Sequence, residues 1–408
     1  MAASTLPITA VGRASTSTHR LLSIDILRGL VMVIMALDHT RDFFSSALFD
    51  PTDLTQTTPL LFMTRWITHF CAPIFVLLAG AGAFLSLANG SKDHCDLPVY
   101  LLKRGIWLMV LEIAVVSPLG WAFSFGFGFT RLQVIWVIGA SMVILAALVF
   151  AFPPRRIAVI GLILIAGHNL FDGDHAAWLG GFTSTWKVLH NLSFFTPFPH
   201  TIVASLYPLI PWAGVMALGY GAGEFALLEP KRRSRIFLAT GLSSLALFAI
   251  LRAGNFYGEP KPWSVQADLS RTAMSFVNFT KYPPSLLYLL TTLGAALCFL
   301  AYADRLPQVI TRPLATFGRV PLFYYLLHLP LLHGLAVVFS LVRYGRADWL
   351  FQDSFALRGS AHPLPAGYGY GLGVVYLVWA GAVILLYPLC SWFAGIKRRY
   401  KHPLLSYL

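Results

Sequence analysis

The stretch "RLLSIDILRGLVMVIMALDHTRDFF" runs from Arg20 to Phe44. About 20 residues at a 1.5 Å rise cross the hydrocarbon layer of a bilayer, so its length and apolar content predict a membrane-spanning helix. Yet Asp25, Arg28, Asp38, His39, Arg41 and Asp42 interrupt it. A charge at the bilayer centre costs about 2.5–3.5 kcal/mol on insertion scales, so such residues usually face a bundle interior and serve a site. Arg28 and His39 are eleven residues apart, almost three whole turns, which puts them on one face about 16 Å apart along the axis. Asp42 lies three residues after His39 and reaches the same ring, and Asp25 lies three residues before Arg28 and pairs with it. The bland alternative is an interfacial Asp–Arg pair at one end and a polar helix terminus at the other. Their placement together on one face favours a site.

The rest of the chain agrees with a membrane protein. Of its 408 residues 57% are hydrophobic and 12% charged, against about a quarter charged in a soluble domain. Ten spans can be drawn, at roughly 22–43, 67–89, 99–119, 131–152, 155–171, 201–228, 234–253, 282–303, 314–340 and 368–394. The expected fold class is all-α, a polytopic transmembrane bundle of about ten helices. No internal repeat is visible. The net charge of +13 does not point to nucleic acid, because the basic residues sit in short clusters between apolar runs, as the positive-inside rule requires.

With the N-terminus inside, eighteen of the thirty Lys and Arg residues fall in inside segments, including "PPRR", "EPKRRSR" and "IKRRYK". Both termini are therefore expected to be cytoplasmic. The expected organisation is a polar segment over 1–20, a membrane domain over 21–396 and a cytoplasmic tail over 397–408. The first twenty residues lack the apolar core and cleavage site of a removed signal peptide. The longer loops, 172–200, 254–281 and 341–367, fall outside, where recognition of a ligand or simple capping of helix ends would place them. The four cysteines form no CxxC pair and read as small buried residues.

"SIDILRGLVMVIMALDH" resembles the first helix of the transmembrane acyltransferase superfamily, closest to the heparan-α-glucosaminide N-acetyltransferase-like membrane proteins and their bacterial members. The wider superfamily has an Arg, ten residues and a His in that helix, and Arg28 and His39 match it. "THFCAPIFVLLAGAGAFLSL", "LQVIWVIGASM", "YPLIPWAGVMALGYGAG", "YPPSLLYLLTTLG", "FGRVPLFYYLLHLPL" and "HPLLSYL" extend the resemblance over most of the chain. It implies an enzyme that takes an acyl group, usually acetyl, from cytosolic acyl-CoA and gives it to a sugar amine or hydroxyl across the membrane. The lysosomal enzyme, by this alignment, has an amide residue at the position of His39 and its proposed catalytic His in the following loop. The loop here, "SSALFDPTDLTQTTPLL", has no His, so the lysosomal acceptor is not carried over.

The residue chemistry fits that expectation. Acyl transfer from a thioester needs a base for the attacking group or a nucleophile to hold the acyl group, and histidine serves as either. His39 is the expected catalytic residue. Asp42 is the first choice to orient its ring; Asp38, pointing about 100° away, is the second. Arg28 suits the phosphates or polar arm of CoA, and Arg319 in "FGRVP" is either a second phosphate contact or a positive-inside anchor. His69 is expected to meet the acceptor and His328 to line the central cavity. Gln133, Trp136, Tyr207 and Trp212 are pocket or packing residues. Lys103 and Arg104 read as a solvated pair, with a phosphate contact allowed by the resemblance.

The expected donor is acetyl-CoA, with no metal. The expected partners are a glycan or lipid-linked sugar acceptor and membrane lipids; no nucleic acid is expected, and a homodimer is admitted. The expected location is a bacterial inner (cytoplasmic) membrane. Two other classes compete. A transporter or flippase of a lipid-linked or glycan substrate would also explain buried charge, but would be favoured by an inverted repeat. A haem-bearing electron carrier would use His39, His69, His328 and His333 and requires paired ligands on facing helices.

Overall fold

The opening stretch forms one helix, α1 (Leu22–Phe44), with Asp25 in its first turn and Arg41 in its last, each complementing the helix dipole. The computed structural model describes residues 21–125, 128–172, 183–352 and 364–400, together with His402 and Leu405. The predicted N-terminal segment 1–20 and most of the ending "HPLLSYL" lie outside the described residues.

After α1, residues 45–58 turn on two aspartates. Asp50 accepts from Thr52, and Asp53 accepts from Thr55 and Gln56. The hydroxyl and N–H of Thr55, then the Gln56 amide, hold the Asp53 carboxyl below its ordinary value. Helix α2 (Pro59–Thr68) starts on a Thr58 cap with proline at its first position, and α3 (Cys71–Ala88) follows after a short break. The predicted second span therefore begins about two turns too late, and His69 sits at the α2–α3 junction instead of opening a helix. Helix α4 (Asp96–Leu111) continues as a π-helix over Glu112–Ala122 that contains Pro118.

Strand β1 (Phe129–Leu132) leads into α5 (Val134–Ala151), then α6 (Pro154–Gly167) and α7 (Thr183–His190). Strands β2 (Ser193–Phe198) and β3 (Thr201–Ser205) complete a three-stranded sheet in the order β1-β3-β2, with β1 and β3 parallel. The spans drawn from 131 and from 201 thus begin in strands. The sheet is a small addition to an otherwise helical chain.

Helices α8 (Leu209–Ala222), α9 (Pro230–Ala253), α10 (Leu269–Phe276), α11 (Leu286–Tyr302), α12 (Gln308–Arg319), α13 (Pro321–Tyr344) and α14 (Leu372–Arg399) follow. The single helix expected over 314–340 is broken between Arg319 and Pro321, since proline cannot donate the N–H that would continue α12.

Among the described residues seven helices are long and apolar enough to cross a membrane: Pro59–Ala88, Val134–Ala151, Pro154–Phe171, Pro230–Ala253, Leu286–Arg305, Pro321–Tyr344 and Leu372–Arg399. Helix α1, the stretch from α4 through the π-helix, and α8 stand beside them as further long or well-buried bodies. Val134–Ala151 and Leu286–Arg305 are mostly buried, whereas Pro230–Ala253 and Leu372–Arg399 are only 17% buried each and form the periphery.

Small residues bring the helices together, as bilayer packing requires. A Cβ on Gly29 would meet the Leu314 backbone, and one on Gly318 would meet the Asp25 backbone. The α1–α12 crossing is therefore a backbone-to-backbone contact. It carries Arg319 to the same end of the bundle as Arg28. We call that end the basic side and the other the far side. On the far side the connections meet around the C-terminus of α1: Tyr370 N–H donates to Phe44 O, and the Asn278 amide donates to Thr52 O.

Candidate active site

At the basic side, Asp25 stands between two guanidinium groups, with Arg28 Nη1 at 3.6 Å and Arg319 Nε at 3.9 Å. Arg28 also donates to Gly318 O at 3.4 Å. Arg28, Tyr100 and Arg104 line one end of a cavity of about 280 Å³, near the lower limit for small-molecule sites. The rest of its wall is largely apolar, from α3, α4, α5 and α13. Arg319 does not line it and acts on it only through Asp25. Lys103, by contrast, is exposed, as a solvated residue should be.

A second, smaller cavity on the far side is lined by Asp38, His39, Gln133, Tyr207, Lys281 and Tyr325, among others. The two cavities share Phe75, Val134 and Tyr325 in their walls. Arg28 and His39 thus line two neighbouring chambers, with Phe75, Val134 and Tyr325 as a partition common to both among the described residues.

Around His39 the helices converge. The edge of Trp121, at the end of the π-helix, meets its ring at 5.0 Å between centroids, and His328 of α13 lies at 5.3 Å. The His328 Nδ1–H donates to Tyr325 O at 2.7 Å. That fixes the tautomer and leaves its buried Nε2 without a hydrogen-bond partner. His328 lines neither cavity, contrary to its expected place at the central cavity wall; it is fully buried behind His39, in direct ring contact with it.

The two aspartates divide differently. Asp38 accepts from Arg65 Nη1 at 2.6 and 2.9 Å and from the Thr68 hydroxyl at 2.9 Å, and Arg41 Nη1 stands 2.9 Å away as an ion-pair partner. Asp42 pairs with Arg41 at 2.7 Å, and its other oxygen lies 3.6 Å from His39 Nδ1. That spacing is an ion-pair distance and longer than a hydrogen bond. His39 Nδ1 is buried and has no hydrogen-bond partner among the described residues.

His69 does not line either cavity. Its ring packs edge-on to Tyr288 at 5.6 Å, and its carbonyl accepts the Tyr288 hydroxyl at 2.6 Å. His333 is also committed, with its two ring nitrogens facing the carbonyls of Gly120 and Leu350 and its ring stacked on Phe123. Neither of its nitrogens is left for a haem iron.

Several site residues escaped the sequence reading. Glu112 is fully buried at the α4–π-helix junction; its Oε2 accepts the Trp136 N–H at 3.3 Å, while Oε1 has no hydrogen-bond partner. Arg131 lies over the Trp121 ring at 4.4 Å, on the ring that also meets His39. The available signal was Glu112 deep in the span drawn over 99–119, past Lys103 and Arg104, and Arg131 at the start of the span drawn over 131–152. Lys281 and Arg65, on or beside the connections, carried no such signal.

A scan against protein families matches the model described as heparan-alpha-glucosaminide N-acetyltransferase, catalytic, over residues 20–255. No curated protein matches the chain in a sequence search. The matched residues supply Arg28, His39, Asp42, Glu112 and Trp121, while Lys281 and α13 beyond them complete the cavity walls, α13 with Tyr325, and α13 also sets His328 against His39. The chain is an integral membrane protein and belongs to the heparan-alpha-glucosaminide N-acetyltransferase family of membrane acetyltransferases.

Proposed function

We propose that the protein transfers an acetyl or other short acyl group from acyl-CoA, entering at the basic side, to a sugar amine or hydroxyl on the far side. The observation that carries this reading is the pair of neighbouring cavities that share Phe75, Val134 and Tyr325 as a common wall, with Arg28 in one and His39 in the other. CoA has phosphates at one end, a thioester at the other and a long thin arm between. Arg28 and Arg104 suit its charged or polar groups, the apolar chamber suits the arm, and His39 suits the thioester.

In direct transfer, His39 takes the proton of the attacking N–H or O–H as that atom bonds to the thioester carbonyl carbon. The carbon–sulfur bond then breaks, and the CoA thiolate leaves with a proton returned from the imidazolium. In the two-step route the imidazole nitrogen bonds to the thioester carbon and the CoA thiolate leaves; the acceptor N–H or O–H then attacks that carbon, the carbon–nitrogen bond breaks, and the acceptor's proton passes to the freed imidazole nitrogen. In either route Asp42 steadies the imidazolium by charge. His328 presents a lone pair beside the same ring, and Lys281 and Gln133 line the chamber where the acceptor would sit. The basic clusters support a cytosolic basic side and an exoplasmic far side, and the resemblance to bacterial members supports a bacterial inner membrane.

Mass spectrometry of envelope glycans and lipids tests this, comparing cells that carry the parent protein with cells that carry His39→Ala. The expected result is an acylated product that falls about 10²–10⁴-fold in formation rate, while the purified variant keeps its thermal unfolding temperature and its affinity for acetyl-CoA. A folded His39→Ala protein that forms the product at the parent rate overturns the role of His39. Absence of any acylated product from parent cells overturns the function.

A further inference from the structure

His168, Asp172 and His190 come together away from the His39 chamber, at the end of α6, in the turn after it and at the end of α7. One ligand-type atom from each lies within 4.8 Å of the other two. His168 and His190 are 2% and 0% exposed. In a tetrahedral zinc site with bonds of about 2.0–2.1 Å, ligand atoms lie about 3.4 Å apart, so modest turning of these side chains closes the gap.

The surroundings select the free nitrogens. His190 Nε2–H donates to the His168 carbonyl at 2.9 Å, which leaves Nδ1 with a lone pair. That lone pair faces the side-chain amide of Asn191 at 3.1 Å. Both buried ring nitrogens of His168 lack a hydrogen-bond partner among the described residues. A ligating histidine characteristically turns its other nitrogen to a carbonyl, and a ligating carboxylate is itself hydrogen-bonded. Asp172 meets the second condition by accepting the Asn169 amide at 2.7 Å. Trp186 stacks on His190 at 5.0 Å, and Phe171 closes on both at their edges, giving the group an apolar wall.

We infer that His168, Asp172 and His190 form a binding site for a divalent transition metal, zinc being the ion that two imidazoles and a carboxylate suit. Three protein ligands leave a coordination position open to water. The ion would tie the end of α6 to α7. Through Asn169, whose amide oxygen accepts the Leu286 N–H at 2.9 Å, it would also brace the start of α11. Helix α11 carries Tyr288, which holds the His69 carbonyl beside the Asp38 cluster. The site is independent of the acyltransfer reading, and its test needs no acceptor.

Tag-free protein in detergent, stripped with chelator, is titrated with zinc chloride and separately with cobalt chloride. The expected result is one equivalent of zinc retained after gel filtration, a visible ligand-field band in the cobalt form and a raised unfolding temperature on loading. His168→Ala and His190→Ala should abolish retention. Asp172→Ala changes a half-buried turn residue and keeps the fold, and it should weaken zinc affinity by about tenfold or more. His39→Ala, outside the cluster, should load like the parent. Failure of the parent to retain zinc, or equal affinity in Asp172→Ala and parent, overturns the proposal.

Discussion

Asp38 shows how a single residue changes meaning once its neighbours are known. In the sequence it is a carboxylate one position before the key histidine, and a reserve choice for orienting it. In the fold it is the hub of Arg65, Arg41 and Thr68, the first and last of which come from α2. Partners 27 and 30 residues away cannot be read from helical spacing, whereas the contact of Asp42 with His39 was visible as one turn of one helix. Breaking a buried pair from one side costs about 3–5 kcal/mol, because the remaining charge keeps no compensation. Arg65→Met is therefore expected to destabilise the protein by about 3 kcal/mol, the low end because Arg41 stays. Adding Asp38→Asn should recover most of that loss in denaturant unfolding. Arg28 makes a different prediction. If it holds a phosphate or the polar arm of CoA, Arg28→Ala loses a charge-assisted bond of about 1.5–3 kcal/mol, and calorimetry should find acetyl-CoA bound roughly tenfold or more weakly.

At the scale of elements, the long apolar helices were legible because length and hydropathy alone define them. What the sequence hid were the places where a helix changes character. The break at Val320–Pro321, the α2–α3 junction at His69 and the π-helix starting at Glu112 all fall inside stretches that the sequence reading drew as single spans. The π-helix matters most, since it ends by setting Trp121 against His39; single π-turns recur at functional sites for this kind of re-aiming. The α1–α12 crossing yields a direct prediction. A methyl group on Gly318 would strike the backbone at Asp25, which has no rotamer to yield. Gly318→Ala should cost about 1–3 kcal/mol or more, seen as a lower unfolding temperature. It should also weaken acetyl-CoA binding, because Arg28 donates to the Gly318 carbonyl.

Across the whole molecule, the distribution of basic residues fixes an expected orientation that labelling can check. Cys95 is exposed in a segment expected inside, and Gln266 lies in a connection expected outside. In the Gln266→Cys protein, an impermeant thiol reagent added to intact spheroplasts should modify position 266 and spare Cys95; the reverse pattern would invert the orientation. The partition between the two cavities has a wider consequence. A protein that opens toward both faces of an energised membrane risks dissipating the proton gradient, and among the described residues Phe75, Val134 and Tyr325 are common to both chambers. On the proposed function, their apolar and aromatic bulk would act as an electrical seal that yields to the acyl arm and stays closed to hydrated ions. Shaving it with Phe75→Ala should turn the protein into a slow leak, visible as faster collapse of an imposed pH difference across proteoliposomes than the parent allows, and acetyl-CoA should plug the leak by filling the gap from the basic side.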